Sequence, residues 1–194
     1  MTEPLSRELI LTTAETVLRQ YGPAKTTVLD VARALDVSHG SVYRHFASKA
    51  ALRDAVTERW LDRISAPLER LVETPGPAEQ RLRAWVTLLA GTKQAIARDE
   101  PELFATFRRL TDESRGVVGA HVDHLAAQVS RIVAEGVAAG ELAAADPEVT
   151  GRAVLQATAL FHHPAHAEEW ADPQIGRQLE AVLDVVVDGL RPRT

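Results

Sequence analysis

Residues 37–53, VSHGSVYRHFASKAALR, hold Arg44, Lys49 and Arg53 with His39 and His45 and no acid; Asp36 and Asp54 lie just outside. Such a basic window suits an anionic partner. At about 100° per residue, Val42 and Phe46 mark the buried stripe of a helix over 38–46. Gly40 and Arg44 then fall opposite it, one turn apart, with Ser41 and Tyr43 on the flanks. The missing side chain at Gly40 lets such a helix approach a groove closely. An arginine one turn on can donate two hydrogen bonds to a guanine edge. His39 and Ser41, in the first turn, are placed for base edges or phosphate, where the free N–H groups and the dipole of the helix also favour an anion.

The other concentration of chemistry is histidine. His121 and His124 stand at i, i+3, and FHHPAHAEEW, 161–170, gathers His162, His163 and His166 with two glutamates. A catalytic zinc needs three protein ligands and an open position. The residue types for a metal-binding protein or metalloenzyme are present, which makes this the alternative reading. No HExxH occurs, and Pro164 interrupts the helix that would give regular ligand spacing. Polar groups at a helix end or along a pocket wall are the preferred reading, so no metal and no cofactor are expected. A P-loop, a GxGxxG fingerprint and a GxSxG elbow are all absent, and no enzyme is expected.

The elements that position these residues are helices nearly throughout. Ile10, Ala14, Val17, Leu18 and Tyr21 line one face of a first helix, which Gly22-Pro23 should stop. Thr27 and Asp30 predict a capping box on a short second helix. Ser38 caps the third and Ser48 the fourth, along which Leu52, Val56, Trp60 and Ile64 recur until Pro67 ends or kinks it near residue 65. After the loop at 73–80, a fifth helix runs to about residue 98, a short sixth opens at Pro101, and a long seventh carries Val118 to Ile132. DPEV at 146 and DPQI at 172 each offer an Asp cap and a Pro in the first turn of a later helix. No window alternates with period two. The expected fold class is all-α, about nine helices, in two domains: 1–47 and 48–194.

The 194 residues contain no cysteine, so no disulfide framework is available. No apolar run is long enough to span a bilayer, and MTEPLSRELI lacks a signal-peptide pattern; a cytoplasmic protein without a membrane partner is expected. The net charge is −5, unevenly placed: residues 1–63 hold nine Lys/Arg against eight Asp/Glu, the remainder thirteen against nineteen. An acidic chain with over 120 residues of helical body does not suit an architectural DNA-coating protein.

The short second and third helices with the tight turn ALDVSHG between them form a helix-turn-helix pattern. TTVLDVARALDVSHGSVYRHFASKAAL, 26–52, resembles the N-terminal domain of the tetracycline-repressor (TetR) family. Thr27, Val31-Ala32, Leu35, Val37-Ser38, Gly40, Tyr43, His45-Phe46, Lys49 and Leu52 carry the match. The likeness is specific over 5–60; beyond that it is one of architecture. It implies a repressor binding a double-stranded DNA operator, with His39, Gly40, Ser41 and Arg44 facing bases and Thr27, Tyr43, His45 and Lys49 contacting phosphates. Lys49, in the first turn of helix four, can also reach the phosphate rail on physical grounds. Asp36 stands where the family usually has glycine; Asp tolerates the left-handed conformation.

One helix-turn-helix reads few base pairs, so a homodimer is expected. The last helix has an apolar band wider than one core stripe requires, and the helix from Pro147 offers small residues. The expected interface is Ala153, Ala157, Leu160, Leu179, Val182, Val186 and Leu190. Trp85, Phe104, Phe107, Phe161 and Trp170, with His121, His124 and His162 as polar handles, are the expected lining of a pocket for a small, mostly apolar effector. No acid is clearly placed to face that pocket, which argues against a cationic ligand.

Overall fold

A computed structural model of the protein describes residues 5–22 and 26–192. Ten α-helices and two 3₁₀ turns are present among them: α1 (Arg7–Tyr21), α2 (Val28–Ala34), α3 (His39–Tyr43), α4 (Lys49–Glu73), α5 (Ala78–Asp99), α6 (Pro101–Glu113), α7 (Arg115–Ala138), α8 (Pro147–Ala157), α9 (Ala159–His162) and α10 (Ile175–Leu190), with 3₁₀ turns at Pro164–His166 and Glu169–Ala171. No described residue is in a strand. No described helix is long and apolar enough to cross a membrane. Pro23, expected to help stop α1, lies outside the described residues; Gly22 itself ends the helix at φ 74, its N–H donating to Leu18 O.

The chain divides into two compact units, Met1–Leu61 with Glu100–Gly119, and Asp62–Asp99 with Ala120–Thr194. The first unit is built on a core of Ile10, Leu11, Ala14 and Leu18 of α1, Val28, Val31 and Ala32 of α2, Val42 and Phe46 from the α3 region, Leu52 and Val56 of α4, and Leu110 of α6. The expected stripe of α3 is therefore the buried one. In the second unit Leu82, Trp85, Val86 and Leu89 of α5, Val129, Ile132 and Val133 of α7, and Leu183 and Val187 of α10 are fully buried. Gly151 lets α8 close on α7: a Cβ there would lie 2.7 Å from Ser130 N and 2.9 Å from Ala126 O.

Two expectations about helix ends, at Pro67 and at Asp172, are corrected. Pro67 does not end α4 near residue 65; the helix continues to Glu73. The proline removes one N–H donor, but Leu68 and Val72 beyond it are buried, and that burial holds the helix together. The helix from Pro147 stops at Ala157, because Thr158 takes a non-helical φ of −100° and ψ of 7° and α9 starts afresh. Asp172 does not cap α10. Its Oδ1 accepts from Gln174 N at 2.8 Å, Pro173 stays outside, and α10 opens at Ile175 with no side-chain cap.

Candidate functional site

α2 begins with the full capping box. Thr27 Oγ1 accepts from Asp30 N at 3.3 Å and donates to Asp30 Oδ2 at 2.5 Å, while Asp30 Oδ2 accepts from Thr27 N at 2.9 Å. These bonds from the Thr27 hydroxyl and backbone hold the Asp30 carboxyl below its ordinary range. α2 ends in a Schellman arrangement: Val37 N donates to Ala32 O at 3.0 Å, Asp36 N to Arg33 O at 3.1 Å, and Asp36 sits at φ 54. Asp36 thus takes the left-handed position that glycine usually fills.

The turn delivers Ser38 to cap α3, where its Oγ accepts from Ser41 N at 3.2 Å. α3 is shorter than the expected 38–46, closing at Tyr43, yet Arg44 N still donates to Gly40 O at 3.2 Å and Phe46 N to Val42 O at 3.1 Å. Val42 and Phe46 are therefore anchored in the core. Their burial turns His39, Gly40 and Arg44 outward; all three are exposed, and Ser41 is half-buried. Space around Gly40 is open: an added Cβ would meet only Ser38 Oγ, at 3.8 Å. His39 and Tyr43 meet edge to face with ring centroids 6.0 Å apart.

The phosphate candidates Thr27, Tyr43, His45 and Lys49 are all exposed. Thr27 and Lys49 border one small hollow of about 40 Å³, so the N-termini of α2 and α4 open on the same part of the unit. Ser48 Oγ caps α4 by accepting from Ala51 N at 3.1 Å, and the Lys49 ammonium adds to the positive end of that helix.

Several arginines of the first unit are already engaged by carboxylates. Arg53, part of the basic window, is engaged by Glu113 at 2.9 Å and by Asp54 at 3.3 Å. Arg19 pairs with Glu100, Arg33 with Asp30, and Arg59 with Glu8 and Glu15. Arg44 and Lys49 have no carboxylate partner among the described residues; the Arg44 guanidinium donates only to Ser41 Oγ, at 3.1 Å. Two exposed, uncompensated cations on a helix-turn-helix form a surface complementary to a polyanion.

The expected pocket residues fall into both units. Phe104 and Phe107 belong to the first, where Phe107 stacks on Trp60 at 4.9 Å between centroids. Trp85, His121, His124, Phe161, His162 and Trp170 belong to the second. There Trp85 Nε1 donates to Gln128 Oε1 at 2.9 Å, and Gln128 Nε2 lies 3.0 Å from His124 Nε2. Since the amide nitrogen can only donate, that His124 nitrogen accepts. Gln94 Nε2 donates to Phe161 O at 2.9 Å, and Trp170 Nε1 to Leu160 O at 2.8 Å. His121 and His162 are buried, and desolvation pushes both imidazoles down to about 3. Lys93 was missed by sequence reasoning, although its place four residues after Leu89 and eight after Trp85 puts it on the apolar face of α5. An open groove of about 1010 Å³ along α7 and α8 contains Ala153 but none of the expected aromatic or histidine lining.

His163 and His166 sit around the first 3₁₀ turn with ring centroids 6.1 Å apart, His166 facing Glu169 at 3.7 Å. Among the described residues no three His, Asp or Glu side chains come together in a group able to hold a metal. Of the expected interface residues, Ala153 and Ala157 are exposed and Leu160, Val182, Val186 and Leu190 half-buried. Leu179 is 5% exposed and packs inward with Leu183 and Val187, so it belongs to the core of its unit. Val185, 74% exposed, stands on the outer face that sequence reasoning passed over.

Residues 10–56 match the family described as bacterial regulatory proteins, tetR family, and residues 78–183 match the tetracyclin repressor-like C-terminal domain. Over 70 residues the chain is 39% identical to an HTH-type transcriptional repressor of Mycobacterium tuberculosis; that match covers 36% of this chain and 35% of the relative's length. The HTH-type transcriptional regulator RutR of Escherichia coli is 27% identical over 205 residues, 96% of this chain and 91% of RutR. Among solved structures, SmeT, the repressor of the Stenotrophomonas maltophilia multidrug efflux pump SmeDEF, superposes with a TM-score of 0.69 at 21% identity, covering 97% of this chain and 92% of SmeT. A TetR transcription regulator of Haloarcula marismortui gives a TM-score of 0.72 at 18% identity over 96% and 98% of the two chains. These structural likenesses are likenesses of fold.

Proposed function

Because the chain belongs to the tetracycline-repressor family of transcriptional regulators, we propose that it is a repressor that binds a palindromic operator as a homodimer and leaves it when a small, mostly apolar effector binds. The observation that carries this reading is that Arg44 and Lys49 stand exposed on the helix-turn-helix with no carboxylate partner among the described residues. The outward face of α3 enters the major groove, where Arg44 takes a guanine edge and His39, Gly40 and Ser41 lie against neighbouring bases. Thr27, Tyr43, His45 and Lys49 set the register by binding phosphates. Residues 1–47 act as the reading head, and 48–194 hold the effector and the dimer contact. Repression rather than activation rests on the names of the mycobacterial relative and of SmeT. The protein works in the cytoplasm, where its operator is.

Release requires that the effector prefer one separation of the two reading heads over another. The residues that support an effector site in the second unit are Trp85, His121, His124, Phe161, His162 and Trp170. Dimer contact is supported by the apolar side chains that α8 and α10 leave outside: Ala153, Ala157, Val182, Val185 and Val186. The test is selection of bound sequences from a random duplex pool with the purified protein. An enriched inverted repeat whose half-site centres are about one helical turn or a multiple of it apart is the expected result. Enrichment of no sequence refutes the reading.

A further inference from the structure

Trp85, Leu89 and Lys93 follow one another at four-residue spacing on α5, so their side chains stack along one face. Trp85 and Leu89 are fully buried, and Lys93 is only 8% exposed. Lysine at that depth ordinarily has a carboxylate beside it. Lys93 has no hydrogen-bond or ion-pair partner among the described residues. Desolvation alone acts on its ammonium and pushes it down to about 8.

The groups that feel the Lys93 charge are imidazoles from two further elements: His121 on α7, His162 at the end of α9, and His163 just after it. Besides Lys93, the only charge effects on them come from other histidines, and each raises the cost of protonation. No acid enters this cluster. His162 Nε2 lies 3.3 Å from Leu155 O, and since a carbonyl only accepts, that nitrogen carries the proton. His121 Nε2 is buried with no hydrogen-bond partner among the described residues. A deeply set cation on α5 and a buried ring nitrogen on α7 thus both stand without a hydrogen-bond partner among the described residues. The Gln94 bond to Phe161 O holds the start of this cluster against an aromatic side chain that is 1% exposed.

We propose that Lys93 and His121 form an anion site, which receives the carboxylate of an organic acid. This deepens the effector reading above and rests on it for its regulatory meaning. One positive charge among neutral imidazoles balances one negative charge; a phosphate dianion would leave charge uncompensated in an apolar setting, where that is costly. His121 supplies the N–H that fixes the orientation of the carboxylate.

The full chain is heated with acetate, butyrate, octanoate, benzoate and phenylacetate, each beside the corresponding alcohol, and with inorganic phosphate. Lys93→Met and Lys93→Gln are measured in parallel; both remove an unpartnered buried charge, so they are expected to fold at least as stably as the parent. At least one carboxylate should raise Tm well beyond its alcohol. By calorimetry both variants should bind it about tenfold or more weakly, with the response to the alcohol unchanged. The proposal fails if no carboxylate exceeds its alcohol, if both variants respond as the parent does, or if phosphate equals the best carboxylate. Operator affinity read on the same samples separates the two layers. A carboxylate bound through Lys93 that leaves operator affinity unchanged upholds the anion site and refutes release by this ligand class.

Discussion

The Arg44 guanidinium lies 3.1 Å from the hydroxyl of Ser41, three residues earlier on the same face of α3. Ser41 Oγ is also 2.9 Å from Ser38 Oγ, so the capping serine, the flank serine and the arginine form one chain of hydrogen bonds. In the absence of DNA the chain holds the arginine head close to the helix. Arg44→Ala should cost about 1–3 kcal/mol of operator binding and relax preference at one base position. Lys49→Ala should weaken all sequences alike and reduce the salt slope by about one unit. Fluorescence anisotropy over single-base operator variants and a salt series measures both. An unchanged sequence preference in Arg44→Ala would show that another residue reads the bases.

Gly40 is not demanded by the fold, since a Cβ there meets nothing nearer than Ser38 Oγ at 3.8 Å. Gly40→Ala should leave urea stability unchanged or raise it by up to about 1 kcal/mol. Operator affinity should fall all the same, because the methyl group points toward the groove. Equal loss of stability and affinity would mean that the glycine serves the protein and not the DNA.

Gly151 is the opposite case. Its Cβ would approach Ser130 Oγ, Ser130 N at 2.7 Å and Ala126 O at 2.9 Å, and the last two are backbone atoms that cannot swing aside. Gly151→Ala should destabilise the second unit by about 1–3 kcal/mol through overpacking. Chemical denaturation followed by tryptophan fluorescence, with circular dichroism alongside, checks this. A variant as stable as the parent would require α7 and α8 to separate freely.

Stability should climb with pH in two separate windows. The unfolded chain protonates His121 and His162 near 6.5, the folded chain only near 3. Between those values the unfolded state binds more protons, so stability falls as pH falls from 6.5 toward 3. Lys93 loses its proton near 8 when folded and near 10.5 when unfolded. Stability therefore rises from about pH 8 to 10.5, by an amount on the order of 3 kcal/mol. Below pH 8 both states are protonated and the full burial penalty applies. Urea midpoints from pH 5 to 10 should show the upper rise in the parent and lose it in Lys93→Met, which should also be the more stable protein at pH 7. An identical upper limb in both proteins would count against a desolvated Lys93.

The outer face of α10 carries Val182 and Val186, half-buried, and Val185, exposed. Val186→Asp should give monomers by light scattering and abolish operator binding while leaving helicity intact, because the inward Leu179, Leu183 and Val187 are untouched. A parent protein that is itself monomeric at micromolar concentration would remove the basis for a two-fold operator.

Local rules made most of the fold legible. Caps such as Thr27 with Asp30, Ser38 and Asp146 are short-range chemistry, and each organises the helix end that its sequence signature marks. The outward direction of Gly40 and Arg44 also follows from local periodicity once Val42 and Phe46 are taken as core. Local rules misled at Pro67, where burial of residues beyond the proline outweighs one lost bond, and at Asp172, whose carboxylate accepts from Gln174 N in a turn ahead of the helix.

By itself, the sequence determined an all-helical chain with a helix-turn-helix and the face that the helix turns outward. The reason is that helix period, capping and turn conformation act over three or four residues. Only the tertiary structure decided which charges are already satisfied. Arg53 and Arg44 are both arginines of one basic window, yet Glu113, sixty positions on, engages the first and leaves the second free. It likewise decided that Lys93 is buried without an acid partner among the described residues and that its charge acts on His121 of α7 and His162 of α9. Pairing and desolvation depend on groups remote in sequence, and only the packing of helices sets their distances.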